Sequence, residues 1–81
     1  MLELAKLRAL IEQQFPDAVV EINDLTGTQD HYDVSLASDR FVGLSPVARH
    51  RLVYEALGAH MKGDIHALAL HTYTLDAWQR R

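Results

Sequence analysis

Cysteine is absent from the 81 residues. That excludes a disulfide framework, a thiolate nucleophile and a metal or cluster site built from cysteine alone. No apolar run approaches the roughly 18 residues needed to span a bilayer. The opening Met1-Leu2-Glu3-Leu4-Ala5-Lys6 carries an acid at once and lacks the basic-then-apolar plan of a signal peptide, so the cytosol is the expected compartment. Base is also scarce: eight Lys and Arg stand against 11 acids, a formal net charge of −3, which argues against a strong general nucleic-acid binder. No serine sits in a nucleophile-elbow sequence, no glycine-rich loop cradles phosphate, and the acids are scattered. The expectation is therefore a chain that is not an enzyme.

What is present is an ordinary globular composition, 48% hydrophobic and 23% charged, neither disordered nor collagenous. Without a linker, repeat or low-complexity tract, residues 1–81 read as one small domain with a modest core. The charge is uneven. Residues 1–39 hold two basic residues against eight acids, and residues 40–81 hold six against three, so an anion would be met by the second half.

Leu4, Leu7, Ile11 and Phe15 recur on one helix face, and Pro16 ends that helix, predicted over residues 3–15. Val20 and Ile22 alternate with Glu21 and Asn23, a half-buried strand over residues 18–25. A polar loop with Gly27 follows. Tyr32, Val34 and Leu36 then mark a second strand, and so short a loop implies an antiparallel hairpin. Ser45 before Pro46 is a helix start, and the helix is predicted to run to about Met61, with Ala48, Leu52, Val53, Ala56 and Leu57 apolar and Gly58 weakening its last turn. Residues 65–73 read as a third strand. Thr74 caps a last helix carrying Trp78. The order α-β-β-α-β-α, with helices against one face of a three-stranded sheet, predicts a two-layer α+β sandwich. Tyr32 and Tyr73 read as core-edge aromatics.

Five histidines stand out: His31, His50, His60, His66 and His71. Imidazole is the commonest metal ligand. His66 and His71, five apart on a strand, lie on opposite faces and cannot chelate one ion without a bulge. His50 and His60 are about 15 Å apart along a helix. The remaining pair is His31 and His66, each opening a strand, although sequence alone does not bring those ends together, and solvated or core-capping histidines remain the alternative. A second candidate is Arg49-His50-Arg51 with Arg40 nearby, where basic residues early in a helix could touch phosphate. A helical wheel puts Arg49 within the apolar stripe, at the rim of the core or paired with an acid, and Arg51 on the polar face in line with Glu55 one turn later, an expected surface ion pair, so the three do not form one basic stripe.

The run from Ser38 through Phe41-Val42-Gly43-Leu44-Ser45-Pro46-Val47-Ala48-Arg49-His50-Arg51-Leu52-Val53-Tyr54, followed by Ile65-His66-Ala67-Leu68-Ala69-Leu70-His71-Thr72-Tyr73-Thr74, resembles the BolA family. The resemblance covers essentially the whole chain. It implies an αββ(α)αβα fold akin to the class II KH fold, with a separate short helical turn at the start of the helix read as 46–61. It implies two activities. One is pairing, as a heterodimer, with a monothiol glutaredoxin and sharing a [2Fe–2S] cluster with it. The other is regulation of transcription in stress, morphology and biofilm formation through DNA.

By that resemblance His66 is the family's C-terminal ligand. The loop between the first two strands supplies the second, here His31, because residues 26–31 hold no cysteine. A [2Fe–2S] cluster needs four terminal ligands, so this chain should hold none alone; the partner's cysteine and glutathione would complete the set. The imidazoles must be neutral to bind, so acid should weaken the complex. For DNA the available donors are Arg40, Arg49, His50, Arg51 and Lys62. The Gly-x-x-Gly loop of KH domains is missing, since Gly43-Leu44-Ser45-Pro46 keeps only its first glycine, so binding should be weak and salt-sensitive. Alone, the chain is expected to be a monomer or weak homodimer.

Overall fold

The computed structural model describes residues 2–27, 31–63 and 67–81. The first helix, α1, spans Leu4–Gln14 and points Leu7 and Ile11 into the core, with Phe15 buried just past its end. Strand β1 (Val19–Asp24) pairs antiparallel with β2 (His31–Ala37), which is the expected hairpin. Strand β3 (Ala67–Tyr73) pairs parallel with β2, so the sheet order is β1-β2-β3 and β2 is central. Residues 64–66, the start predicted for this strand, lie outside the described residues.

The helix predicted over 46–61 is two helices. Helix α2 ends at Leu57 and α3 covers His60–Gly63. Gly58 has φ +56° and ψ −131°, a conformation that no α-helix contains, so the backbone turns there instead of weakening gradually. Nor does the helix begin with a separate turn. The short 3₁₀ turn is Asp39–Phe41, upstream of it. Helix α2 starts at Pro46, where Ser45 Oγ accepts the amide of Ala48 at 3.2 Å. Helix α4 (Leu75–Arg80) is capped in the same way, Thr74 Oγ1 accepting from Ala77 at 3.1 Å.

Alternation along the strands sorts the sheet into two faces. Val20, Tyr32, Val34, Leu36 and Leu70 face α1 and α2 and are buried. The two-layer α+β sandwich is thus the architecture observed. Tyr32 is central to it, not at its edge: it is fully buried and its hydroxyl donates to the Leu2 carbonyl. Helix α4 instead folds onto the other face. Trp78 packs edge-on against Tyr73 at 5.2 Å, Arg81 lies 3.4 Å over the Trp78 ring and reaches Glu21, and Ala37 beneath is fully buried. No helix among the described residues is long and apolar enough to cross a membrane.

The Phe41-Val42-Gly43 motif has a structural role. Phe41 is fully buried against Phe15, ring centroids 5.4 Å apart, and Gly43 takes φ +79° so that the chain can turn into α2. Asp17 holds the same corner. Its carboxylate accepts Ser38 Oγ and the Asp39 amide, each at 2.8 Å. The Asp39 amide bond and then the Ser38 hydroxyl keep the Asp17 carboxyl below the usual aspartate range.

Candidate functional site

His31 is the first residue of β2 and is half-buried. The loop that reaches it is pinned at its start. Asp24 Oδ1 accepts the Gly27 amide at 3.1 Å, Gly27 takes φ +74°, and the Leu25 amide donates to the His31 carbonyl at 2.9 Å. The parallel register sets His31 opposite Ala67, the first residue of β3. Two strands therefore begin side by side, and the histidine at one start sits in the same row as the first residue of the other. His66 lies outside the described residues. Among the described residues, no group of three histidines, acids or cysteines could hold a metal ion.

The outer face beyond His31 is polar. Asp33 and Ser35 follow it on β2, and His71 on β3 meets Asp33 across the strands at 2.9 Å. Sequence reading did not find this pair, because the parallel β2–β3 register that brings the two together is set by tertiary structure and leaves no local pattern.

The basic residues part company. Arg40 donates to the Gln14 carbonyl at 2.6 Å and its guanidinium lies 4.9 Å from the Phe15 ring, so it fastens the 3₁₀ turn to α1. Arg49 is half-buried and donates through Nε to the Leu44 carbonyl at 3.0 Å, closing the turn before α2. Both are occupied in holding backbone. Lys62 falls in α3, and its side chain lies outside the described residues. His50 and Arg51 remain on the outer surface of α2. His50 meets Tyr54 edge to face at 6.3 Å, and Val47, His50, Arg51 and Tyr54 line an open depression of ≈ 320 Å³. Arg51 forms none of the described ion pairs, including the one expected with Glu55. The i, i+3, i+4, i+7 spacing of 47, 50, 51 and 54 was visible in sequence as one helix face. As a charge pattern the face is silent, since Val47 and Tyr54 carry none.

The mixed three-stranded sheet, its helices and the strand starts at His31 define a small α+β domain of known type. The BolA-like protein family model matches residues 8–77, and the chain belongs to that family. It is 52% identical over 54 residues to a Vibrio cholerae protein named DNA-binding transcriptional regulator BolA, a match covering 67% of this chain and 51% of that one. The Escherichia coli protein of the same name is 42% identical over 77 residues, covering 91% of this chain and 73% of its own length. The match thus spans about half the length of the Vibrio relative. A BolA homologue of known structure from Coxiella burnetii superposes with a TM-score of 0.78 at 36% identity, covering 99% of this chain and all of that one.

Proposed function

We propose that the chain is an adaptor that pairs with a monothiol glutaredoxin and shares a [2Fe–2S] cluster with it, His31 and His66 being its two ligands, in iron–sulfur trafficking or in redox or stress sensing. The observation that carries this reading is the register of His31 with Ala67, the residue bonded to His66 in the chain. The donor set suits a shared group: two imidazoles, no thiolate and no third ligand among the described residues fall short of the four that a cluster needs. Such a cluster would supply a one-electron redox group whose potential rises as imidazole replaces thiolate. The chain's own part is to present His31 at the start of β2, its carbonyl accepting the Leu25 amide. The test is reconstitution with a monothiol glutaredoxin, iron, sulfide and glutathione, read by visible circular dichroism. Wild type should give a heterocomplex spectrum that His31→Ala and His66→Ala each alter; an unaltered spectrum in both variants refutes the assignment.

A second reading, DNA-binding regulation of transcription, is favoured by the name its Vibrio and Escherichia relatives carry. With Arg40 and Arg49 held by backbone carbonyls, it falls to the α2 surface.

A further inference from the structure

The outward stripe of α2 combines features that duplex readout does not need. Two of the exposed large hydrophobics among the described residues, Val47 and Tyr54, lie in it, at 66% and 41% exposure. Arg51, which forms no ion pair among the described residues, stands beside them. A duplex offers this surface phosphate and groove edges, and would be met by a row of cations. An exposed aromatic ring beside one cation matches a single base–phosphate unit instead: the ring takes the face of an unstacked base and the guanidinium takes its phosphate. The depression of ≈ 320 Å³ is at the small end of ligand sites and suits one such unit.

A neighbouring hollow on the far side of Arg51 helps to decide where an anion goes. It has a volume of ≈ 230 Å³ and is lined by Leu44, Ala48, Arg51, Leu52 and Glu55. The Glu55 carboxylate repels phosphate there, which leaves the Tyr54 side for it. Val47 lies near the start of α2, about 15 Å by helix rise from its end at Leu57.

We infer that the Val47–His50–Arg51–Tyr54 depression is a single-stranded nucleic-acid subsite, one base stacking on Tyr54 with its phosphate on Arg51. The inference rests on the nucleic-acid reading above and narrows it. One phosphate contact gives a shallow salt dependence, a log–log slope of about −0.7 for a single strand. Loss of the stacked base should weaken binding by about tenfold or more.

The test is fluorescence anisotropy of the full chain with a labelled ten-residue oligodeoxythymidine, a duplex of equal length, and free dTMP as competitor. The single strand should bind more tightly than the duplex. Tyr54→Leu and Arg51→Gln should each weaken it by about tenfold, while Arg80→Gln, which removes an equal charge from exposed α4, should leave it unchanged. Glu55→Gln should tighten it. Far-ultraviolet circular dichroism confirms that each variant is folded. Oligonucleotide binding that Tyr54→Leu and Arg51→Gln leave intact overturns the subsite while the regulator reading stands; failure of every nucleic acid to bind overturns both. Preference for the duplex, or displacement by dTMP at a concentration equal to the strand's, also overturns it, the latter assigning the depression to a free nucleotide.

Discussion

His71 Nε2 lies 2.9 Å from Asp33 Oδ1, linking β3 to β2 on the outer face of the sheet. Both side chains are wet, at 53% and 34% exposure. Their pair is therefore worth at most about 1 kcal/mol, and His71→Ala should lower the stability of the chain by no more than that in urea unfolding. His71 pairs in register with Ser35, four residues along β2 from His31, roughly 13 Å at strand rise. The variant should accordingly leave a reconstituted heterocomplex spectrum unchanged, which separates a sheet-surface histidine from a ligand.

Asp17 gives the chain an acid-sensitive corner. Its folded pKa lies below the ordinary aspartate value, first through the Asp39 amide and then through the Ser38 hydroxyl. A lowered folded pKa means that the contribution is fully present above the unfolded pKa and is lost as pH falls through the folded one. Asp17 is exposed, so solvent screening holds the effect to about 1 kcal/mol or less. Asp17→Ala should be less stable than wild type at pH 7, and the difference should shrink below about pH 4. Urea midpoints measured from pH 7 to pH 2 check both the sign and the window.

Gly58 separates two descriptions of the same segment. In one continuous helix, Gly58→Ala would stabilise by up to about 1 kcal/mol. At φ +56° and ψ −131° a side chain is strained, although the nearest atom a Cβ would meet, the Glu55 carbonyl oxygen, is 3.9 Å away. Thermal unfolding should therefore show Gly58→Ala destabilised, by about 1–3 kcal/mol, from backbone strain without a clash.

Phe41 anchors the corner between sheet and helices. It is fully buried and packs on Phe15. Phe41→Ala should cost about 3–5 kcal/mol, a large share of what holds a small domain together. The denaturant midpoint should drop steeply, with loss of near-ultraviolet dichroism before far-ultraviolet dichroism if packing fails first.

Local periodicity carried most of the fold. Leu7, Ile11 and Phe15 repeat at helix spacing and Val34 and Leu36 at strand spacing, and all five are buried. Capping chemistry at Ser45 and Thr74 marked helix starts that the hydrogen bonds reproduce. Long-range choices were less legible. Nothing local to residues 67–73 says that β3 runs parallel to β2, that α4 lies on the opposite face from α1 and α2, or that Gly58 takes a positive φ. The candidate site divides in the same way. His31 could be picked out by residue type and by its place at a strand start, but its closeness to the start of β3 is a property of the register. Arg40 and Arg49 count as available donors in sequence, Arg49 despite its place in the apolar stripe, since the Gln14 and Leu44 carbonyls that hold them belong to backbone with no side-chain signature.

The ligand assignment at His31 and His66 is tested most directly by pulsed electron paramagnetic resonance of the reduced heterocomplex, with ¹⁵N-histidine incorporated only into this chain. Direct imidazole ligation predicts strongly coupled ¹⁵N, diminished in His31→Ala and in His66→Ala but retained in His71→Ala. Cluster signals with no strongly coupled histidine nitrogen from this chain would contradict it.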